Sequence, residues 1–228
     1  FGAAAAASHL LRLNPSRTAK ALALAASFAS GIKSNFGTMT KPMQVGQCAR
    51  NGLFAALAAE RGFESNPGAL EHKQGFFNVY NGPGLFDAER MFQDWGAPWE
   101  IESDDNGLKQ FACCGSTHPA IAMMLRLVKE EGLKAGQARK IEILAHRRRL
   151  PHTDNPWPKS PLEAKFSIQY TTARALLDGA VRIADFETDV VADPEVTKLL
   201  RMTEARPHPD MPDDSPNQFG AEVIVTTT

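Results

Sequence analysis

The stretch KIEILA, Lys140 to Ala145, decides the fold class of this 228-residue chain. Its apolar residues alternate, so that Ile141 and Ile143 fall on one face, as expected for a β-strand with one buried side. The chain before Gly132 shows helical spacing instead, and a second alternating stretch, AEVIVTT, follows at Ala221 to Thr227. We therefore expect a mainly α chain in which an all-helical domain precedes a smaller α+β domain.

The helical part carries local start and stop signals. Asn14-Pro15 supplies a cap and a first-turn proline for a helix to about Ser30, whose alanines would let neighbouring helices pack closely. The other predicted helices are Gly2 to Leu13, Pro42 to Arg61, Gly68 to Phe77, Leu85 to Trp95 and Pro119 to Glu131.

The second part mixes strands with single helices. One strong helix is predicted from Leu162 to Leu177, closed by Asp178-Gly179, and Asp193-Pro194 begins another that runs to about Met202. Because short loops and lone helices separate the strands, we predict that the strands are antiparallel. The predicted domains are residues 1–132 and 133–228.

Composition narrows the class of protein. The chain is 43% hydrophobic and 22% charged, which is typical of a soluble globular protein, and its net charge of -1 gives no attraction for nucleic acid or anionic membrane. Three cysteines are too few and too poorly spaced for a disulfide framework, which indicates a reducing compartment. The apolar run Gly2 to Ala7 is too short for a membrane span and lacks the features of a signal peptide. We expect a cytoplasmic protein whose partner is a small molecule.

The stretch NFGTMTKPMQVGQCARNG, Asn35 to Gly52, is the most informative for function. It places Thr38, Thr40 and Lys41 just before a first-turn proline, at a helix N-terminus where free N–H groups and the dipole favour an anion. Such a site suits a carboxylate. The alternative is a capped helix whose lysine points to solvent, which is the usual position of lysine.

A second stretch, KQFACCGSTHP, covers Lys109 to Pro119. Ser116 and Thr117 precede His118 at another helix start, where the dipole disfavours a protonated imidazole, so that a neutral His118 can serve as a general base. A plain helix cap is the alternative. The adjacent cysteines are not expected to hold an iron–sulfur cluster, because the chain has only one other cysteine.

A third stretch, EAKFSIQY, lies at Glu163 to Tyr170 on the long predicted helix. Its apolar spacing indicates mainly core packing, but the Tyr170 hydroxyl requires a partner if it is buried, and Lys165 lies one turn away. The basic run His146 to Arg149 either attracts a polycarboxylate or forms a solvated turn after the strand.

These three stretches together resemble the MmgE/PrpD family, and the similarity runs along the whole chain in order and spacing. The family has a large all-helical domain and a smaller α+β lid, with the active site between them and no metal or organic cofactor. The resemblance implies that residues 1–132 belong to the helical domain and residues 133–228 to the lid. It further implies a homodimer, and a chain that lacks both ends of the family fold.

The resemblance also assigns roles residue by residue. The family's TKP lysine falls on Lys41, its second lysine on Lys109, its STH histidine on His118 and its lid tyrosine on Tyr170. In the decarboxylase branch a histidine stands five residues after the second lysine. This chain has Cys114 there, which argues against decarboxylation of cis-aconitate.

The mechanism implied by the resemblance is proton abstraction next to a carboxylate of a di- or tricarboxylate, with cations stabilising the charge that develops. The first expectation is a cofactor-independent dehydratase of the 2-methylcitrate type. An epimerase, racemase or decarboxylase of the same family, and a non-catalytic dimeric scaffold, are the alternatives.

Overall fold

The computed structural model describes residues 1–103, 106–214 and 219–228. The chain forms two compact units, Phe1–Gly107 and Leu108–Thr228. The first unit is helical, and the second combines helices with one sheet. Among the described residues, no helix is both long enough and apolar enough to cross a membrane.

The first unit is built on three packed helices that local signals begin and end. The Asn14 side chain accepts a hydrogen bond from the Arg17 N–H at 2.9 Å, and Pro15 follows as the first helical residue, as predicted. The longest helix begins at Thr40, two residues before the predicted Pro42. The helices are α1 (Gly2–Leu10), α2 (Pro15–Ser27), α3 (Thr40–Glu60) and α4 (Phe76–Asn81).

Small residues bring these helices together. Ala4, Ala21 and Ala55 are fully buried where α1, α2 and α3 meet, which confirms the predicted close packing. Gly52 marks the tightest approach, since a Cβ there would lie 2.6 Å from the Cβ of Ala3. Any side chain at this position would therefore push α1 away from α3.

Two predicted helices of the first unit are wrong. Residues 68–75 form turns, because the N–H of Phe76 donates to the carbonyl of Ala69 at 2.9 Å and folds the chain back on itself. Gly75 sits inside this turn, where a Cβ would approach the Ala69 carbonyl to 2.4 Å. Between Leu85 and Trp95 the described helical structure is a single 3₁₀ turn, Glu89–Phe92.

The second unit contains a three-stranded sheet with the order β2-β1-β3. Its strands are β1 (Ala138–Ala145), β2 (Thr203–Pro207) and β3 (Ala221–Thr227). β3 pairs with β1 antiparallel, but β2 pairs with β1 parallel, so the prediction of purely antiparallel strands is wrong. The reason is the connection: four helices separate β1 from β2, and such a long crossover allows parallel pairing.

Helices complete the second unit. They are α5 (His118–Glu130), α6 (Pro161–Ala164), α7 (Ile168–Asp178), α8 (Thr188–Val191) and α9 (Pro194–Leu200). Three of them, α5, α7 and α9, contact the sheet. Instead of one helix from Leu162 to Leu177, the chain forms two, because Ser160 and Ser167 each cap a new start. The Gly179 stop is confirmed by its left-handed backbone, with φ of 61°.

The largest core lies in the second unit, between the sheet, α5 and α7. Ile121 and Met124 of α5, Ile141 of β1 and Ile168 of α7 have no exposed surface. By these contacts α5 belongs to the second unit, although it precedes the domain boundary predicted at Gly132. The assignment of the units to a family scaffold and a lid stays a prediction.

Candidate active site

The first predicted group, Thr38 to Lys41, lies at the start of α3 in the first unit. The Thr38 hydroxyl donates to the carbonyl of Asn35 at 2.8 Å and accepts from the N–H of Thr40 at 3.2 Å. Thr38 therefore shapes the turn that begins α3, and its hydrogen atom is already used. Thr40 is exposed in the first helical turn.

Lys41 occupies the same first turn and is partly buried. Its ammonium lies 4.2 Å from the centre of the Phe36 ring, an attractive cation–π distance, and the ammonium of Lys33 lies 5.8 Å from the same ring. The aromatic contact limits the freedom of the long side chain. It keeps a positive charge in the first turn of α3, where the helix dipole also stabilises an anion. The N–H groups of Thr40, Lys41 and Met43 in that turn are already bonded to Thr38 and Met39.

The second predicted group lies around the start of α5 in the second unit. A 3₁₀ turn, Gly115–Thr117, leads into α5, and His118 is its first helical residue. The Thr117 hydroxyl is fully buried and donates to the carbonyl of Cys114 at 2.8 Å. The Lys109 ammonium donates to the carbonyl of Cys113 at 2.9 Å, which folds this lysine back over the turn. Lys109, Ser116, Thr117 and His118 are thus brought together.

His118 has the properties of a neutral acceptor. Its ring meets Phe111 edge to face at 5.1 Å, and its Nε2 atom is buried without a hydrogen-bond partner among the described residues. Burial lowers the pKa of His118, the charge of Lys109 lowers it further, and backbone hydrogen bonds with Cys113 and Phe111 oppose the change. This agrees with the predicted neutral imidazole, but burial rather than the helix dipole is the main cause.

Ser116 is paired with a residue that the sequence did not single out. Its hydroxyl lies 3.0 Å from Nε2 of His152, which belongs to the 3₁₀ turn Leu150–His152. The two residues are 36 positions apart, so no local pattern announced the contact. Sequence reasoning missed His152 because its proximity to Ser116, a predicted substrate-binding residue, is visible only in the tertiary structure.

The cysteine pair is held inside the same turn. Burial raises the pKa of Cys113 to about 11, so this thiol stays protonated, and its Sγ lies 3.3 Å from the Thr117 hydroxyl. The N–H of Cys114 donates to the carbonyl of Lys165 at 2.8 Å. This bond ties the start of α5 to the segment before α7. Within the described residues, no three His, Cys, Asp or Glu side chains are grouped as a metal site would require.

Tyr170 lies in the core of the second unit rather than at its surface. The side chain is fully buried, its hydroxyl donates to the carbonyl of Asp185, and it accepts from Nε of Arg174 at 3.2 Å. Arg174 is itself held by Asp178 and Asp193, each at 3.2 Å. Burial is the main cause that raises the pKa of Tyr170. These contacts favour a structural role, and the catalytic role stays a prediction.

Apart from Tyr170, the predicted site residues therefore form two groups in different units. Thr38, Thr40 and Lys41 share the start of α3, whereas Lys109 and the residues up to His118 share the start of α5. In each group a lysine accompanies a helix N-terminus. The second group adds a neutral imidazole, which makes it the chemically more complete of the two.

Comparison with known proteins finds two domains of one family in this chain. The MmgE/PrpD N-terminal domain matches residues 1–89, and the MmgE/PrpD C-terminal domain matches residues 111–228. The chain belongs to the MmgE/PrpD family. The family resemblance seen in the sequence is thereby confirmed. Lys41 lies within the N-terminal match and His118 within the C-terminal match, whereas Lys109 lies between the two matches.

Several curated relatives are named cis-aconitate decarboxylase. The chain is 31% identical to human cis-aconitate decarboxylase over 92% of its own length and 44% of the relative. It is 30% identical to the mouse protein of that name, over 93% of this chain and 44% of the relative, and 29% identical to that of Aspergillus terreus, over 87% and 43%. The chain spans less than half the length of these relatives. Their names are those of decarboxylases and give no support to a dehydratase.

Proposed function

We propose that this protein is a lyase that moves a proton next to a carboxylate group of a di- or tricarboxylate. The observation that carries the proposal is the start of α5, where His118 lies beside the cation Lys109. The buried Nε2 of His118 has no hydrogen-bond partner in the described part of the chain, and its pKa is lowered, which favours the neutral imidazole. A neutral imidazole accepts a proton, and a nearby cation stabilises the anion that forms.

The chemical step follows from these groups. His118 takes the proton from the carbon next to a carboxylate, and the electron pair of the broken C–H bond moves into that carboxylate to give an enolate-like anion. Lys109, in the same turn as His118, offsets its charge. In dehydration, the electrons return to form a carbon–carbon double bond as hydroxide leaves and is protonated to water.

Dehydration is the first candidate because the described site supplies a base. Cys114 stands where the resemblance places a histidine in the decarboxylase branch, which weakens the case for loss of carbon dioxide. Decarboxylation is the second candidate, and the names of the relatives favour it. In that reaction a carbon–carbon bond breaks, carbon dioxide leaves, and the remaining carbanion must receive a proton.

A substrate panel tests the proposal on the full-length protein. Citrate, 2-methylcitrate, cis-aconitate and aspartate-derived diacids are incubated in deuterated buffer, and proton NMR follows deuterium incorporation, water loss and decarboxylated products. We expect exchange or dehydration that His118→Gln abolishes and the matched His208→Gln preserves, since His208 bonds Glu222 outside the site at 3.1 Å. Carbon dioxide release would select the second candidate. Failure with every acid would leave a non-catalytic scaffold.

A further inference from the structure

His152 is a polar side chain to which neither the family resemblance nor the proposed reaction assigns a role. Its Nε2 atom lies 3.0 Å from the hydroxyl of Ser116, in the turn that leads into α5. Ser116 is 9% exposed, so its hydroxyl has little access to water and depends on a protein partner. The contact joins a loop after β1 to the candidate site.

The loop that carries His152 is fixed rather than loose. The next residue, Thr153, is fully buried, and its carbonyl accepts from the N–H of Ile168 at 2.9 Å. The Ser167 hydroxyl donates to the carbonyl of Asn155 at 2.6 Å. Both bonds fasten the loop to the start of α7, which packs against α5. The position of the His152 ring relative to Ser116 is therefore set by the core.

The hydrogen-bond capacities of the two groups define what the pair can do. If Nε2 of His152 accepts, the Ser116 hydrogen points at the ring, and only serine lone pairs remain, which repel a carboxylate. If Nε2 carries a hydrogen and donates, the serine hydrogen is released and can be given to an anion. A carboxylate at the start of α5 selects the second arrangement, because only that arrangement offers it a donor.

We propose that His152 is a positioning residue that turns the Ser116 hydroxyl toward a carboxylate of the substrate. The inference rests on the proposed function, because it assumes that a carboxylate binds at the start of α5. His152 acts through Ser116 and does not itself take part in proton transfer. Its effect belongs to binding, with the serine hydroxyl as the group that touches the substrate.

Three variants of the full-length protein test the inference. Calorimetric titrations with citrate and cis-aconitate measure Kd, and steady-state kinetics give KM and kcat for any acid that is turned over. His152→Leu removes the donor, and we expect Kd and KM to rise about tenfold while kcat changes less than about threefold, the pattern of lost uniform binding. His152→Gln keeps an N–H near the position of Nε2 and should restore affinity to within about threefold. His208→Leu, a histidine paired elsewhere in the same unit, should bind as the unmodified protein does.

The double variant separates positioning from general loss of structure. Ser116→Ala removes the hydroxyl that His152 turns, so adding His152→Leu to it should weaken binding no further. If His152→Leu melts early, Ser116→Ala and His152→Gln give the same comparison without a change of ring packing. If Ser116→Ala binds the acids as tightly as the unmodified protein does, His152 is not a positioning residue, and the proposed function still stands. The same holds if His152→Leu and His152→Gln lose equal affinity. No binding of either acid by unmodified protein would overturn the proposed function as well.

Discussion

Lys41 shows how one residue combines a local signal with a tertiary contact. Its place in the first turn of α3 follows from the TKP sequence, and its ammonium lies 4.2 Å from the Phe36 ring. We predict that Lys41→Met lowers kcat/KM by about a hundredfold. The family resemblance assigns this lysine to the substrate, and a charge that stabilises a developing anion contributes more to the transition state than to the fold. The melting temperature should change little.

The matched control for Lys41 is Lys33→Met, since the Lys33 ammonium shares the Phe36 ring at 5.8 Å but lies outside the helix start. It should keep kcat/KM within about threefold. Steady-state kinetics and thermal melts on the full-length protein measure both variants. Equal kinetics of the two would remove Lys41 from the site.

His118 carries a prediction about pH. A base works in its neutral form, and the pKa of His118 is lowered from 6.5 by burial and by Lys109, so the acid limb of kcat/KM should lie below pH 6.5. Lys109→Met removes one of the lowering causes, and the pKa should therefore rise and the limb move to higher pH. Histidine NMR titration measures this shift even if turnover is lost. As a control, Lys129→Met in the last turn of α5 should leave the pKa of His118 unchanged. A lower pKa of His118 in the Lys109→Met variant would contradict the electrostatic account.

At the scale of elements, α7 depends on one buried serine. Ser167 has no exposed surface, accepts from the N–H of Tyr170 at 3.0 Å and donates to the Asn155 carbonyl at 2.6 Å. We predict that Ser167→Ala lowers the free energy of unfolding by about 2 kcal/mol. The substitution removes a helix cap and also the hydroxyl that donates to the Asn155 carbonyl. Urea denaturation measures the loss.

The control for Ser167 is Ser160→Ala, which removes the more exposed cap of the short helix α6, a 3.2 Å bond to the N–H of Glu163. It should cost about 0.5 kcal/mol, at the low end for caps. If the two substitutions lower the free energy of unfolding equally, the burial of Ser167 and its bond to Asn155 add no measurable stability. Other contacts then hold the loop that bears His152.

At the scale of the whole molecule, the two units differ in how well they bury their apolar residues. The first unit leaves Leu85, Trp95 and Ile101 more than three-quarters exposed and contains an apolar groove of about 320 Å³ beside Trp95. The second unit buries a continuous core. We predict that residues 1–107 alone bind a hydrophobic dye strongly and self-associate, because large apolar patches drive association. Residues 108–228 alone should melt cooperatively.

Dye fluorescence, sizing chromatography and calorimetric melts make this comparison. Trp95→Ser should reduce dye binding by residues 1–107, since the indole lines the groove, whereas Lys73→Ser at an exposed polar position should not. A monomeric first unit with weak dye binding would show that its apolar surface is too dispersed to act as a patch.

Features that depend on neighbouring residues could be predicted from the sequence. The caps at Asn14 and Asp193, the stop at Gly179 and the strand Ala221–Thr227 were all predicted, because a cap or a period-2 pattern is an interaction among residues a few positions apart. The positions of Lys41 in the first turn of α3 and of His118 at the start of α5 follow in the same way, whereas the lowered pKa of His118 depends mainly on burial.

Tertiary structure decided the features that join distant residues. β2 carries little apolar alternation, and its parallel direction depends on the helices that separate it from β1. The turn before Phe76 closes through backbone bonds that compete with helix, and the pairing of Ser116 with His152 joins residues 36 positions apart. Such contacts form because burial of the whole core offsets the entropy of closing long loops, and that balance is a property of the folded chain rather than of any short segment.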